Sequence, residues 1–283
     1  MMTPAHIETV VAAALAEDAP WGDVTGGAFV PPSAYATALL RARTEGTLAG
    51  SEVASTAFRL VDADTVVRWE RADGDRFSHG DTLARVQGSA REVLRAERIA
   101  LNFVQRMSGI ATLTAAFVDA VAGTGVRIVD TRKTTPGLRA LEKHAVRAGG
   151  GHNHRFSLSD AVMVKDNHLA VARAAGIGVT EAIGAAKQQL GHTTHLEVEV
   201  DRIEQIQPVL AAGVDTIMLD NFSLEDLRAG VTLVAGRAIV EASGAIGLDT
   251  VRAVAETGVD VISVGALTHS APALDLGLDI EVA

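Results

Sequence analysis

The stretch VRIVDTRKTTPG, residues 126–137, is a short apolar run followed at once by an acid, a hydroxyl and two cations. The same phrase recurs down the chain in AVMVKDNH (161–168), HLEVEV (195–200), DTIMLDN (215–221), RAIVEASG (237–244) and VDVISVGA (259–266). Each run is too short for a helix, and helical stretches separate them, which is the pattern of βα units feeding a parallel sheet. In a closed or nearly closed barrel every strand C-terminus opens on one face, and that face carries the chemistry. The residues after the runs then converge: Asp130 to Lys133, Lys165 to His168, Glu199, Asp220 and Asn221, Glu241 to Gly244, and Gly265 with Ala266. A doubly wound open sheet shares the alternation, but its first strand normally leads into a glycine-rich dinucleotide loop. TRKTTPG is not such a loop.

The segment 130–168 also holds Arg132, Lys133, Lys143, Arg147, His154, Arg155 and Lys165, in a chain whose formal net charge is -10. A basic cluster on an acidic protein predicts a pocket for a small anion. Arg supplies a planar fork for carboxylate or phosphate and Lys a compact charge. The acidic balance argues against extended nucleic-acid binding, which needs a basic stripe. Glu197 and Glu199 stand two apart and so share one face of a strand. With Asp220 they offer the oxygen donors that Mg²⁺ prefers, close to cations suited to a polyphosphate. The turns Ser243-Gly244 and Gly265-Ala266, each ahead of a helix-like segment, are candidates for holding a phosphate on backbone amides. His152, His154 and His168 lie close in sequence, yet no thiolate or HExxH pattern supports zinc, and anion binding through His154 and Arg155 is favoured. Neither a GxSxG elbow nor a GxxxxGK[ST] loop is present, which disfavours serine hydrolases and nucleotide hydrolases.

Upstream the rhythm is different. Residues 7–16 have helical spacing and run into the turn-rich EDAPWGDVTGG (17–27). Strands are predicted over 35–43, 65–69 and 81–86 and a helix over 51–60, a small mixed sheet with helices. Ser89 and Glu92 have capping-box spacing ahead of a long helical pattern, expected to break or bend near Gly109 and to resume to about Val121. Cysteine is absent, which removes disulfides, thiolate nucleophiles and zinc-thiolate sites and fits a reducing compartment. The N-terminal MMTPAHIETV has no basic-then-apolar signal, and no apolar run reaches membrane-spanning length. The expectation is a cytoplasmic protein with no membrane and no nucleic-acid partner.

Several long motifs occur together and in order: GDVT at Gly22, ERIALN at Glu97, DTRKTTPGLRALEKHAV at Asp130, GGGHNHRFSLSDAVMVKDNH at Gly149, EVEV at Glu197, MLDN at Met218, EASG at Glu241 and TGVDVISVGALTHSAPALDLGLDI at Thr257. On these motifs the chain resembles the quinolinate phosphoribosyltransferase family, also called carboxylating nicotinate-nucleotide pyrophosphorylases, over nearly its whole length. The resemblance implies an α/β protein with an N-terminal mixed α/β sandwich-like domain (1–106, joined by 269–283) and an incomplete, open α/β barrel (107–268). It implies the conversion of quinolinate and phosphoribosyl pyrophosphate to nicotinate mononucleotide, pyrophosphate and carbon dioxide, with Mg²⁺, in a homodimer or larger homo-oligomer with shared active sites.

Carried over by motif, Thr131, Arg132, Lys133, His154, Arg155 and Lys165 would hold quinolinate, with Arg98 joining from the neighbouring subunit. Lys133 and Lys165 would also meet the pyrophosphate. Glu199 and Asp220 would face the ribose hydroxyls and Mg²⁺, directly or indirectly. Ser243, Gly244, Ala245, Val264, Gly265 and Ala266 would receive the 5′-phosphate, with His269 nearby. No separate catalytic residue stands out. Many relatives have a second glycine where this chain has Ala245, a substitution that strains the turn if its φ is positive. A paralogous family linked to molybdenum transport shares the motifs with a different pocket; the intact HNHR and VKDNH segments favour the quinolinate enzymes. Two other readings remain at this point: a base phosphoribosyltransferase that does not decarboxylate, and a noncatalytic anion-binding protein.

Overall fold

The computed structural model describes residues 2–282. They form two compact units, one built from 2–115, 134–150 and 266–282 and the other from 116–133 and 151–265.

In the first unit, α1 (Pro4–Asp18) and α2 (Val24–Phe29) precede β1 (Tyr35–Ala42), β2 (Gly46–Thr47), α3 (Ser51–Val61), β3 (Val66–Trp69), β4 (Arg76–Phe77), β5 (Thr82–Ser89) and α4 (Ala90–Ala120). The helix α5 (Arg139–Ala148) belongs here too. Four strands pair antiparallel in the order β12-β1-β5-β3, where β12 is Leu276–Val282, and β2 pairs β4 separately. On α4 the buried residues Val93, Ala96, Ala100, Val104, Met107, Ala111 and Ala115 recur every three or four positions, so one stripe of the helix faces the core. Asp73 ties the unit together: it accepts the Gly50 and Ser51 amides at 3.0 and 3.1 Å and lies 2.7 Å from His144 Nε2. Burial opposes its charge, but these hydrogen bonds win and hold its carboxyl below the ordinary value.

One expectation holds and one changes here. Ser89 ends β5 and directly precedes α4, the position that its spacing to Glu92 predicts, with Glu92 in the first turn of the helix. The helix does not break at Gly109: α4 runs unbroken from Ala90 to Ala120, and the first unit's opening segment ends within it, after Ala115. Gly109 is required instead by close approach, because a Cβ there would stand 1.9 Å from the Pro272 carbonyl oxygen.

The second unit is built on six parallel strands. β6 (Arg127–Val129), β7 (Val162–Val164), β8 (Leu196–Val200), β9 (Thr216–Asp220), β10 (Ile239–Ser243) and β11 (Val261–Ser263) pair in the order β6-β11-β10-β9-β8-β7. The first strand lies beside the last, as a sheet curling toward closure requires, and there is no central reversal of order as in a doubly wound sheet. β6 and β7 remain the two ends of the order, so the barrel is open. Part of the free edge of β6 is taken by His152, which donates to Ile128 O at 2.8 Å and accepts from Asp130 N at 3.1 Å. The helices α6 (Asp166–Ala174), α7 (Val179–Gln189), α8 (Ile206–Ala211), α9 (Leu224–Val234) and α10 (Val251–Ala255) fill the connections, and α11 (Ala266–His269) returns the chain to the first unit. Along β8 the period of two buries Leu196, Val198 and Val200 on one face and leaves Glu197 and Glu199 on the other.

An interior glycine usually costs a helix about 1 kcal/mol relative to alanine. At Gly109 the sign should reverse: Gly109→Ala should destabilise by about 1–3 kcal/mol through overpacking, read as a lower urea midpoint. An unchanged midpoint would contradict the close approach to Pro272.

Candidate active site

At the C-terminal ends of the six strands lies a cavity of about 390 Å³. Each strand presents to it what its register dictates: Thr131, Arg132 and Lys133 after β6, Met163 and Lys165 from β7, Glu199 from β8, Met218 and Asp220 from β9, Glu241 and Ser243 from β10, and Ser263 from β11. His154 and Arg155 complete the lining from the segment that His152 pins to β6. The alternation Met163/Lys165, Met218/Asp220 and Glu241/Ser243 is the strand period of two seen from inside a barrel.

Of the seven basic residues grouped in the sequence, five line the cavity. Lys143 and Arg147 do not: both sit on α5 in the first unit, Lys143 buried and Arg147 exposed. Arg98, Ala266 and His269 also belong to the first unit, with Arg98 exposed on α4.

Four long cations in one mouth repel each other, and the site offsets this in several ways. Lys165 forms an ion pair with Glu199. Its amide donates to His168 Nδ1 at 2.9 Å, so His168 serves the start of α6. Arg155 donates from Nη1 to Ala161 O at 3.0 Å, and its pKa is lowered by burial first and then by the neighbouring charge of Arg132. Lys133 N donates to Thr131 Oγ1 at 3.0 Å, folding the strand end into a tight turn. Asp220 accepts from Asn221 Nδ2 at 2.8 Å.

Beneath the cations lies a buried cluster. His154 Nε2 stands 3.0 Å from Glu197 Oε2 and 3.6 Å from Glu241 Oε2, with both carboxylates almost fully buried. Burial, then the charge of Glu197, pushes the Glu241 carboxyl up to about 7. The sequence brings Glu241 to the mouth with the other strand-end residues 241–244 but assigns it no role, because nothing in the sequence distinguishes it from a solvated strand-end acid.

At the β10 turn Gly244 has φ +133°, and a Cβ would meet Asn221 Oδ1 at 2.6 Å, so this position requires glycine. Ala245 is not among the positive-φ residues, and the substitution carries no backbone strain. The predicted helix directly after Ser243-Gly244 is delayed, because α10 begins only at Val251. A second cavity of about 420 Å³ borders the same turn, between Asn221, Gly244, Ala245, Asp249 and Thr250. Val264, buried after β11, donates to Val129 O at 2.9 Å and so locks the last strand end to the first.

Glu199 and Asp220 supply two oxygen-bearing side chains to the open cavity, too few for a cage but suited to a magnesium ion that keeps phosphate and water ligands. Among the described residues, the one group of three side chains close enough to share a metal is His154, Glu197 and Glu241. No single helix among them is long and apolar enough to cross a membrane.

Known proteins with this arrangement share the sequence as well. The family models for the quinolinate phosphoribosyl transferase N-terminal and C-terminal domains match residues 23–108 and 110–279. A nicotinate-nucleotide pyrophosphorylase [carboxylating] of Mycobacterium leprae is 44% identical over 278 residues, covering 94% of each chain. A probable nicotinate-nucleotide pyrophosphorylase [carboxylating] of Bacillus subtilis is 41% identical over 266 residues, covering 94% of this chain and 90% of its own. The crystal structure of NadC from Streptococcus pyogenes superposes with a TM-score of 0.95 at 43% identity, covering 100% of this chain and 99% of that one. With both domains matched and relatives this similar along almost their full length, the chain belongs to the quinolinate phosphoribosyltransferase family.

Proposed function

We propose that this chain is a phosphoribosyltransferase that joins quinolinate to phosphoribosyl pyrophosphate, giving nicotinate mononucleotide, pyrophosphate and carbon dioxide on the route to NAD. The observation that carries this is the single cavity in which Arg132, Lys133, Arg155 and Lys165 face Glu199 and Asp220. A dianionic pyridine needs the first set, and a ribose bearing a metal-bound pyrophosphate needs both.

Arg132, Arg155, Thr131 and Lys165 bind the two carboxylates and orient the ring nitrogen toward the ribose carbon. As the carbon–oxygen bond to pyrophosphate breaks, positive charge builds on the sugar and negative charge on the leaving group. Glu199 and Asp220 stand near the first, Lys133 and Lys165 near the second. Mg²⁺, held by Glu199, Asp220 and phosphate oxygens, would supply further positive charge to the pyrophosphate when bound. Ser243, Gly244 and Ala245 with Val264, Gly265 and Ala266 take the 5′-phosphate, and His269 lies four residues beyond Gly265. The glycosylated ring nitrogen then draws the electron pair left by the departing adjacent carboxylate, so decarboxylation needs no covalent nucleophile.

The subunit arrangement is a homodimer or a larger homo-oligomer in which the partner subunit's Arg98 completes the quinolinate pocket. Support comes from the exposure of Arg98 and of large apolar side chains in the first unit, with Trp21 at 95%, Val24 at 84% and Phe29 at 83%. The lack of cysteine throughout is in keeping with a cytoplasmic setting.

Incubation with phosphoribosyl pyrophosphate, Mg²⁺ and quinolinate should yield nicotinate mononucleotide and carbon dioxide in equal amounts. Product from nicotinate but none from quinolinate would overturn the assignment. Lys133→Ala should lower kcat by about 10²-fold or more, as loss of a charge stabilising the leaving group does, while its thermal unfolding stays near that of the wild type. Near-native turnover would remove Lys133 from the site. Finally, Arg98→Ala and Lys133→Ala subunits, each expected to be strongly impaired alone, should regain activity in verified mixed dimers; no recovery would exclude sharing of sites.

A further inference from the structure

We propose that the buried acids Glu197 and Glu241 are positioning residues which act through His154 to fix the main chain that presents Arg155 to the substrate. The inference rests on the functional reading above and concerns how its dicarboxylate pocket is held.

The geometry decides which proton His154 carries. The Arg155 amide, a fixed donor, points at His154 Nδ1 from 2.8 Å, so that nitrogen must keep its lone pair. The ring hydrogen then sits on Nε2 and is donated to Glu197 Oε2 at 3.0 Å, with Glu241 Oε2 behind it at 3.6 Å. The His154 amide is held in turn by Asp130, whose Oδ1 accepts it at 2.9 Å. Asp130 is fully buried at the end of β6. The peptide between His154 and Arg155 is thereby pinned from β6 by Asp130 and, through the imidazole, from β8 by Glu197. Both ring nitrogens are engaged inside the protein, so His154 serves the substrate by placing its neighbour.

Two acids at this depth are costly and call for a role. Each has one carboxylate oxygen, Oε1, buried without a hydrogen-bond partner. The groups facing Glu241 come from four elements: Glu197 on β8, His154 on the connecting segment, Ser263 on β11 and Arg127 on β6. Burial and the neighbouring Glu197 charge push the Glu241 carboxyl up to about 7, which relieves the repulsion that two charged acids at this depth would exert on each other. The arrangement also excludes Nε2 as a metal ligand, because the nitrogen that donates a hydrogen to Glu197 has no lone pair to offer.

The test uses the full-length protein with quinolinate and phosphoribosyl pyrophosphate varied separately. Glu197→Ala removes the acceptor and should raise the KM for quinolinate by about tenfold or more, with kcat and the KM for phosphoribosyl pyrophosphate within about threefold of wild type. Glu197→Gln keeps an oxygen that can accept from Nε2 and should restore the quinolinate KM to within about threefold. An unchanged KM in Glu197→Ala, or a Gln variant as impaired as the Ala variant, would overturn the inference while the wild-type activity left the functional reading standing. Absence of quinolinate turnover by the wild type would overturn both. Should Glu197→Ala fail to fold, the nitrogen-15 spectrum of the wild-type His154 ring at pH 7.5 decides. A hydrogen on Nε2 alone supports the pinning; a hydrogen on Nδ1, or Nε2 bound to a metal ion, contradicts it.

Discussion

Six parallel strands deliver their C-terminal residues to one small volume, and three of those residues, with Arg155 from the segment beside β6, are long cations. Everything else about the site follows from making that concentration of like charge tolerable. Lys165 is paired with Glu199, Arg155 is tethered to a backbone carbonyl, and a nearly buried pair of acids lies under the imidazole that holds the Arg155 amide. These contacts leave the guanidinium and ammonium groups fixed before a ligand arrives, so less of the binding energy is spent on ordering them. On a chain with a net charge of -10, the local reversal of sign also concentrates anions at this mouth.

The parts of the fold that were legible in the sequence are those set by short-range periodicity. The six apolar runs all became strands, because β-branched and aliphatic residues in runs of three to five, cut off by polar residues, have no other way to bury both faces. What was not legible depends on long-range contact. Gly109 reads as a helix breaker and is instead a point where another segment crosses close over α4. Lys143 reads as a member of the basic cluster, yet the chain turns into α5 immediately after the Lys133 region and carries it into a different unit.

The site itself was partly legible. Arg132, Lys133, Lys165, Glu199 and Asp220 are brought together as their positions at strand ends require, and Arg155 joins them from the segment that His152 pins to β6. Arg98 came from motif resemblance alone, since one arginine on an exposed helix face carries no signal of its own. The acids below the pocket could not be told from solvated strand-end charges, because burial depends on which strands become neighbours. Once β8 and β10 are placed in one barrel with β9 between them, Glu197 and Glu241 have nowhere else to point.

The central claim is that this cationic mouth is matched to two carboxylates on one ring. Calorimetric titration of the protein with quinolinate and with nicotinate, which differ by one carboxylate, tests it directly. A charge-assisted pair is worth about 1.5–3 kcal/mol, so quinolinate should bind at least about tenfold more tightly than nicotinate. Equal affinities, or tighter binding of nicotinate, would contradict the account.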